Sequence, residues 1–322
     1  MTNKILWNPP ISLIENSNIS EFQNIINHKY NLSIKKYSEL YKWSINNIDN
    51  FWEEIWNYSK IIYSHPYTKV IKTTDNIWET SWFIDSKLNY AENLLRYKND
   101  SVAIYFFGEN QVRSQITFNE LYNNVAKVAF SFKEMGIKKG DRVAGFIPNM
   151  PEAVIAMLAT ASIGAIWSSC SPDFGIDGVL DRFSQINPKL IISSDGYYYK
   201  GKEISCINKL NKITDSLDSV EKVIIANYIN SGESNWSQLL DNDQTDISFE
   251  QVDFSHPLYI MYSSGTTGKP KSIIHSVGGT LLQHYKEHLL HVNLKKNDKI
   301  FYFTTCGWMM WNWLVSSLSI GA

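Results

Sequence analysis

The stretch RVAGFIPNMPEAVIAMLATASIGAIWSSCSPD, residues 142–173, decides the fold class. Arg142–Ile147 is an apolar run stopped by Pro148, which reads as a strand. Pro151 suits the first turn of a helix, where its missing N–H leaves nothing unpaired, and that helix is expected to end near Gly164. Ala165–Ser169 is then the next strand. Ala153–Pro172 is almost free of charge and rich in Ala, Ser and Gly, so both elements should be buried. Strand, helix and strand in about thirty residues form a βαβ unit, and such units build a parallel sheet with right-handed crossovers.

Upstream, Val102–Phe107 and Val112–Ile116 flank Gly108-Glu-Asn110 and suggest a hairpin. Thr117-Phe-Asn-Glu120 reads as a capping box. Behind it Leu121, Tyr122, Val125, Val128, Ala129 and Phe132 line one helical face, and Gly136 can close the helix. Downstream, a helix around Val179–Gln185 stops before Pro188, and Leu190–Ser193 is again strand. Residues about 200–250 are polar and irregular apart from Val223–Ala226, and read as a surface insertion without chemistry. The first 95 or so residues hold Trp7, Trp43, Trp52, Trp56, Trp78 and Trp82, with Trp52, Ile55 and Trp56 at helical spacing. The expected organisation is a helical, Trp-rich layer over residues 1–96, docked on a mostly parallel α/β domain over residues 97–322.

Composition narrows the function. The 322 residues carry 30 Lys+Arg against 32 Asp+Glu, a net charge of −2, which gives no basic field for nucleic acid or anionic lipid. Apolar residues make up 44% and aromatics 14%, so the chain can bury a core. Cys170, Cys206 and Cys306 share no CxxC spacing, which argues against a disulfide framework or a zinc site and fits a reducing cytoplasm. The first ten residues contain no apolar run of the signal-peptide type. Phe301–Ala322 is free of charge and has the length of a membrane span of about 20 residues. Thr304, Thr305, Asn312, Ser316, Ser317 and Ser319 interrupt it, and Trp308, Trp311 and Trp313 sit at its middle rather than at an interface. It reads as a buried wall. His284, His288 and His291 could share a helix face, but no acidic partner stands at matching spacing, so a packed or solvated face is expected and no metal site is assigned.

The segment with chemistry is Leu258-Tyr-Ile-Met-Tyr-Ser-Ser-Gly-Thr-Thr-Gly-Lys-Pro-Lys271. An apolar strand runs into Ser263, Ser264, Gly265, Thr266, Thr267, Gly268, Lys269 and Lys271. Two glycines let backbone N–H groups approach a ligand, four hydroxyls can donate to phosphate oxygens, and two lysines bring positive charge. The set suits a triphosphate-binding loop joining two strands, because Ser272-Ile-Ile-His275 reads as strand again. It is not a Walker A loop: two residues rather than four separate its glycines, and Pro270 follows Lys269.

These residues resemble the signature of the adenylate-forming enzymes, which include acyl-CoA synthetases. Within them the chain is most similar to the acetoacetate–CoA ligase family. The narrower carriers of that likeness are Leu88–Arg96, Gly140–Ala144, Pro148–Glu152, Trp167–Gly175, Asp181–Ile186 and Gly307–Leu314, and it runs from Leu6 to Ala322. The resemblance implies that acetoacetate is activated with ATP and Mg²⁺ to acetoacetyl-adenylate, and that coenzyme A then displaces AMP. It implies that Ser263, Ser264, Gly265, Thr266, Thr267, Gly268 and Lys271 hold the β- and γ-phosphates, with Lys271 the catalytic charge. Lys269 lies where the family varies and is given less weight. It places Gly307, Trp308, Met309, Met310 and Trp311 near the acyl pocket. Another short-chain acid as substrate, or a non-catalytic fragment, are the alternatives. The family also carries a downstream ribose-binding Asp and a small C-terminal domain with an adenylation lysine. Neither segment follows Lys271 here, so the chain is read as an N-terminal portion whose partner would be that remaining part.

Overall fold

A computed structural model describes residues 6–263 and 268–322. The chain opens with four helices, α1 (Ile11–Glu15), α2 (Asn18–Tyr30), α3 (Tyr37–Asn46) and α4 (Ile48–Tyr58). Ser17 caps α2 by accepting from the Ser20 N–H, which satisfies one of the helix's unpaired donors. Four short strands follow: β1 (Tyr63–His65), β2 (Lys69–Lys72), β3 (Ser81–Ile84) and β4 (Lys87–Leu88). The expected helical layer is present, and short strands join its helices to the rest of the chain. These strands are too short to show an alternating pattern, and their pairing is partly supplied from far away in the chain. The helix α5 (Tyr90–Leu94) leads into the rest.

The aromatic face of α4 does dock. Trp56 stacks on Phe83 at 4.8 Å, and Phe83 stacks on Phe254 at 5.0 Å. Trp7 and Trp78 take no part and stay 69% and 78% exposed. The hairpin of β5 (Val102–Gly108) and β6 (Val112–Thr117) forms as read, with α6 (Phe118–Glu134) behind it. Both halves of the capping box close: Thr117 Oγ1 accepts from the Glu120 N–H at 3.1 Å, and Glu120 Oε2 accepts from the Thr117 N–H at 2.8 Å.

The next elements are β7 (Arg142–Phe146), α7 (Pro151–Ser162), β8 (Ile166–Cys170), α8 (Ile176–Phe183), β9 (Leu190–Ser194), the hairpin β10 (Gly196–Tyr199) and β11 (Lys202–Ser205), α9 (Ile207–Asp215), β12 (Lys222–Ala226) and α10 (Ser237–Leu240). Then come β13 (Val252–Asp253), β14 (Pro257–Ser263), β15 (Lys271–Ser276), α11 (Val277–Lys286) and α12 (Met309–Ser316). The main sheet has the order β12-β9-β7-β8-β14-β15, and only β15 is antiparallel to its neighbour. Strand alternation sends Val143, Trp167 and Ile192 into one core with α6 and α7, and Ala144, Ile166 and Ile191 into a second with α8 and α9. The first core runs on into α2, α4 and α5, so the Trp-rich layer shares it. A Cβ on Gly278 would sit 2.1 Å from the Phe254 ring, so glycine is what lets α11 come this close to the aromatic stack.

Residues 200–250 are not a surface insertion. They supply the edge strand β12, paired in parallel with β9, while Leu210 and Ile213 of α9 and Leu239 of α10 are buried. The Asn and Lys residues on the outer face of α9 hide its apolar stripe in a linear reading. The charge-free tail is corrected in part. Phe301 and Phe303 are 82% and 90% exposed, and burial is continuous only from Trp311 onward apart from half-buried Leu314 and Ala322. Among the described residues no helix is long and apolar enough to cross a membrane.

Of the histidine stripe, His284 and His288 are packed and His291 is exposed. His284 Nδ1 lies 2.7 Å from Ser316 Oγ, and His288 Nε2 lies 2.8 Å from the Trp313 carbonyl. Glu287–His291 winds as a π-helical turn, which breaks the spacing a regular helix would give the three rings. Burial pushes His284 down to about 3 and His288 down to about 4. The unfolded chain therefore takes up protons below about pH 6.5 that the folded chain refuses, and stability falls as pH drops from there toward the folded values. Urea unfolding at pH 7 and pH 6 is expected to show a loss of about 1 kcal/mol. A flat profile over that interval would contradict the burial of the two rings as neutral species.

Candidate active site

In an open parallel sheet the strand carboxyl ends leave polar backbone groups and loops at one edge, where ligands bind. Here β7, β8, β9 and β14 deliver Asn149, Ser169–Ser171, Asp195 and Ser263 to that edge.

The phosphate-loop segment leaves β14 at Ser263 and returns as β15 at Lys271, and these two residues pair across the ladder. The loop thus joins two strands, as expected. Ser264, Gly265, Thr266 and Thr267 lie outside the described residues. Gly268 has φ +110°, a backbone conformation that glycine alone takes without strain. Lys269 and Lys271 are both exposed. Lys269 Nζ stands 3.6 Å from Asp181 Oδ1 in a solvent-exposed pair, which contributes little to stability.

The root of the loop is tied to α8. Tyr262 OH donates to the Arg182 carbonyl at 3.1 Å, and Ser168 Oγ lies 3.3 Å from Tyr262 OH. The Arg182 guanidinium covers the Phe174 ring at 4.8 Å and the Tyr262 ring at 5.7 Å. Gln185 reaches over to Pro270 and Ser272. Burial raises the Tyr262 hydroxyl well above its ordinary value, so it stays a neutral donor.

Thr304–Trp311 crosses the ends of β7 and β8. Ser169 Oγ donates to the Cys306 carbonyl at 2.7 Å, and Trp311 Nε1 donates to Asn149 Oδ1 at 2.9 Å. Gly307 lies against the backbone of Ser169 and Ser171, so it is at the sheet edge. The five residues expected around the acyl group separate here. Trp308 and Met309 face solvent, at 65% and 44% exposure, Gly307 and Met310 are half-buried, and Trp311 is buried. Trp311 lines a different space, a largely apolar groove of about 820 Å³ bounded by Phe107, Met150, Val154, Tyr302 and Leu318. Burial pushes the Cys170 thiol up to about 12 and raises that of Cys306 further, so neither supplies a thiolate here.

Two residues escaped the sequence reading. Gln185 is the next-to-last residue of the Asp181–Ile186 string, but an amide near a helix end signals nothing by itself. Asp195 follows β9, and its Ser-Asp-Gly setting was the one available hint of a turn. Its side chain accepts from the N–H groups of Tyr228, Ile229 and Ser231 at 2.7, 3.0 and 2.9 Å.

A mostly parallel sheet whose carboxyl edge carries a Ser/Thr/Gly/Lys segment between two strands defines an open α/β protein. The chain belongs to the AMP-binding enzyme family, whose profile matches residues 91–322, while that of the acetyl-coenzyme A synthetase N-terminus matches residues 37–94. It is 46% identical to the acetoacetyl-CoA synthetase of Danio rerio over all of this chain and 50% of the relative. It is 42% identical to the acetoacetyl-coenzyme A synthetase of Rhizobium meliloti over 98% of this chain and 50% of the relative. The solved acetoacetyl-CoA synthetase of Streptomyces lividans superposes with a TM-score of 0.95 at 37% identity, over 99% of this chain and 50% of that one. The chain spans about half the length of the curated relatives it matches.

Proposed function

We propose that this chain carries the phosphate-loop part of an acetoacetate–CoA ligase. The carrying observation is identity of 46–47% to the acetoacetyl-CoA synthetases of Danio rerio and Gallus gallus over the whole chain. In the first half-reaction a carboxylate oxygen of acetoacetate attacks the α-phosphorus of ATP, and the bond to pyrophosphate breaks. In the second, the sulfur of coenzyme A attacks the acyl carbon and AMP leaves. Ser263, Ser264, Gly265, Thr266, Thr267 and Gly268 bind the β- and γ-phosphates, and Lys271 neutralises the charge that grows on the leaving pyrophosphate. The glycine conformation at Gly268 and the exposed Lys271 beside paired Ser263 support that assignment. Mg²⁺ enters bound to the nucleotide, sharing the charge of its β- and γ-phosphates.

Gly307 and Trp308 of the loop that crosses β8, with Met309 and Met310 at the start of α12, form the acyl wall, and Trp311 of α12 anchors it through Asn149. Residues 1–96 serve as the docked N-terminal layer and residues 97–322 as the adenylation region. Three free, buried cysteines support a reducing, cytoplasmic setting. The test is acid-dependent ATP–pyrophosphate exchange by the polypeptide of the whole reading frame that contains this chain. Acetoacetate is expected to support the fastest exchange in a panel with acetate, propionate and butyrate. Faster exchange with any of the other three would overturn the substrate assignment.

A further inference from the structure

We propose that Gln185 is a positioning residue for the phosphate loop, acting by bracketing Lys271 from both sides; this rests on the proposed function. One amide makes both contacts. Gln185 Nε2 donates to the Pro270 carbonyl at 2.8 Å, and Gln185 Oε1 accepts from Ser272 Oγ at 2.8 Å. These are the residues immediately before and after Lys271. Successive side chains of a strand point to opposite faces. Holding Ser272 toward α8 therefore commits Lys271 to the other face, and holding the Pro270 carbonyl fixes the peptide from which Lys271 springs. The first contact also gives that carbonyl a partner at the point where the ladder stops, since pairing of β14 with β15 ends at Ser263 and Lys271.

The amide is itself held. Gln185 Nε2 also donates to the Asp181 carbonyl at 2.6 Å, within the last turn of α8. That turn is rooted by Val179 and Phe183, both fully buried in the second core. The outgoing strand is fixed to the same turn, because Tyr262 OH donates to the Arg182 carbonyl. Residues 181–185 thus grip both roots of the loop. A glutamine amide carries its donor and its acceptor on two separate atoms of one uncharged head group, so glutamate or leucine cannot reproduce the pair.

The probe is inorganic tripolyphosphate with Mg²⁺, titrated calorimetrically into the 322-residue chain. Gln185→Leu is expected to raise Kd roughly three- to tenfold, the worth of one or two hydrogen bonds. Gln185→Glu keeps the acceptor for Ser272 and loses the donor, so it should fall between. The readout that separates positioning from general stability is the cycle with Lys271→Ala. In that background Gln185→Leu should weaken binding no further, because the residue it positions is gone. Equal Kd for wild type and Gln185→Leu, or fully additive losses in the double variant, would overturn the proposal. Should Gln185→Leu fail to fold, Gln185→Glu and Ser272→Ala decide: unchanged Kd in both overturns it, and weakened binding that vanishes in the Lys271→Ala background supports it. Absence of tripolyphosphate binding by the wild type overturns the phosphate-loop reading itself, and this inference with it. Binding by the wild type with no effect of Gln185 removes the inference alone.

Discussion

Replacing Asp195 by alanine is expected to destabilise the chain by about 4 kcal/mol. Asp195 is fully buried, yet its carboxylate is met by three backbone donors: Oδ1 accepts from Tyr228 and Ile229, and Oδ2 from Ser231. Its own N–H donates to the Ala226 carbonyl at 2.9 Å, at the end of β12. One side chain thus ties the end of β9 to the turn that follows the edge strand. Hydrogen bonds to a charged group contribute about 1.5–3 kcal/mol each, and alanine would leave three donors unpaired in a site with little room for water. Shared orphaning keeps the total below a simple sum of three. The consequence spreads, because Tyr228 fills the space beside Gly108, where a Cβ would fall 2.3 Å from the Tyr228 hydroxyl. Losing the 228–231 turn should loosen the β5–β6 hairpin as well. Asp195→Asn keeps the shape and one acceptor oxygen but turns a donor toward the Ser231 N–H, so about half of the loss should remain. Urea unfolding of the two variants checks this. A loss under 1 kcal/mol for Asp195→Ala would show that the three contacts are not made by a charged, buried carboxylate.

The parts of the fold legible in the sequence are those whose physics is local. The strand–helix–strand pattern of residues 142–173 rests on runs of apolar residues and one proline, and it reappears as β7, α7 and β8. The capping box at Thr117 and Glu120 closes within four residues of chain. The parts missed depend on distant partners. The strand β4 is held between β1 and β13, and Val252 pairs with Leu88 across about half of the chain. The strand β12 reads as an isolated apolar run until β9 lies beside it. The same division runs through the site. Ser263, Gly268 and Lys271 stand out as a motif because the proposed phosphate binding calls for hydroxyls, a free backbone and charge close together. Gln185 and Asp195 act through backbone groups 85 and 33 residues away, and no spacing rule marks them. The residues proposed for the acyl wall share one sequence string but not one orientation: Trp311 turns inward to Asn149 while Trp308 turns outward.

On the proposed function, Lys271→Ala should weaken binding of MgATP by roughly tenfold to over a hundredfold. A hydrogen bond or contact between charged partners contributes about 1.5–3 kcal/mol, and every 1.4 kcal/mol is a factor of ten. The upper end applies if the lysine meets the phosphates in a site closed to water, the lower end if it remains as exposed as it is here. Lys271 is the better placed of the two lysines. It begins β15 and pairs with Ser263, so its backbone is fixed within the sheet, whereas Lys269 lies beyond the end of the ladder and already faces Asp181. A lysine on a fixed backbone loses less entropy on meeting a ligand than one on a turn. Lys269→Ala should therefore cost only about threefold, the worth of an exposed charge. The comparison is informative because both substitutions remove the same charge from the same loop. If net charge alone governed binding, the two would weaken MgATP equally, and raising salt would erase the difference. If placement governs it, Lys271→Ala stays the weaker binder at 0.15 M and at about 0.5 M salt alike, with a loss less sensitive to screening. Calorimetric titration of the two variants at both salt concentrations distinguishes these outcomes, and equal affinities would remove Lys271 from its assigned role.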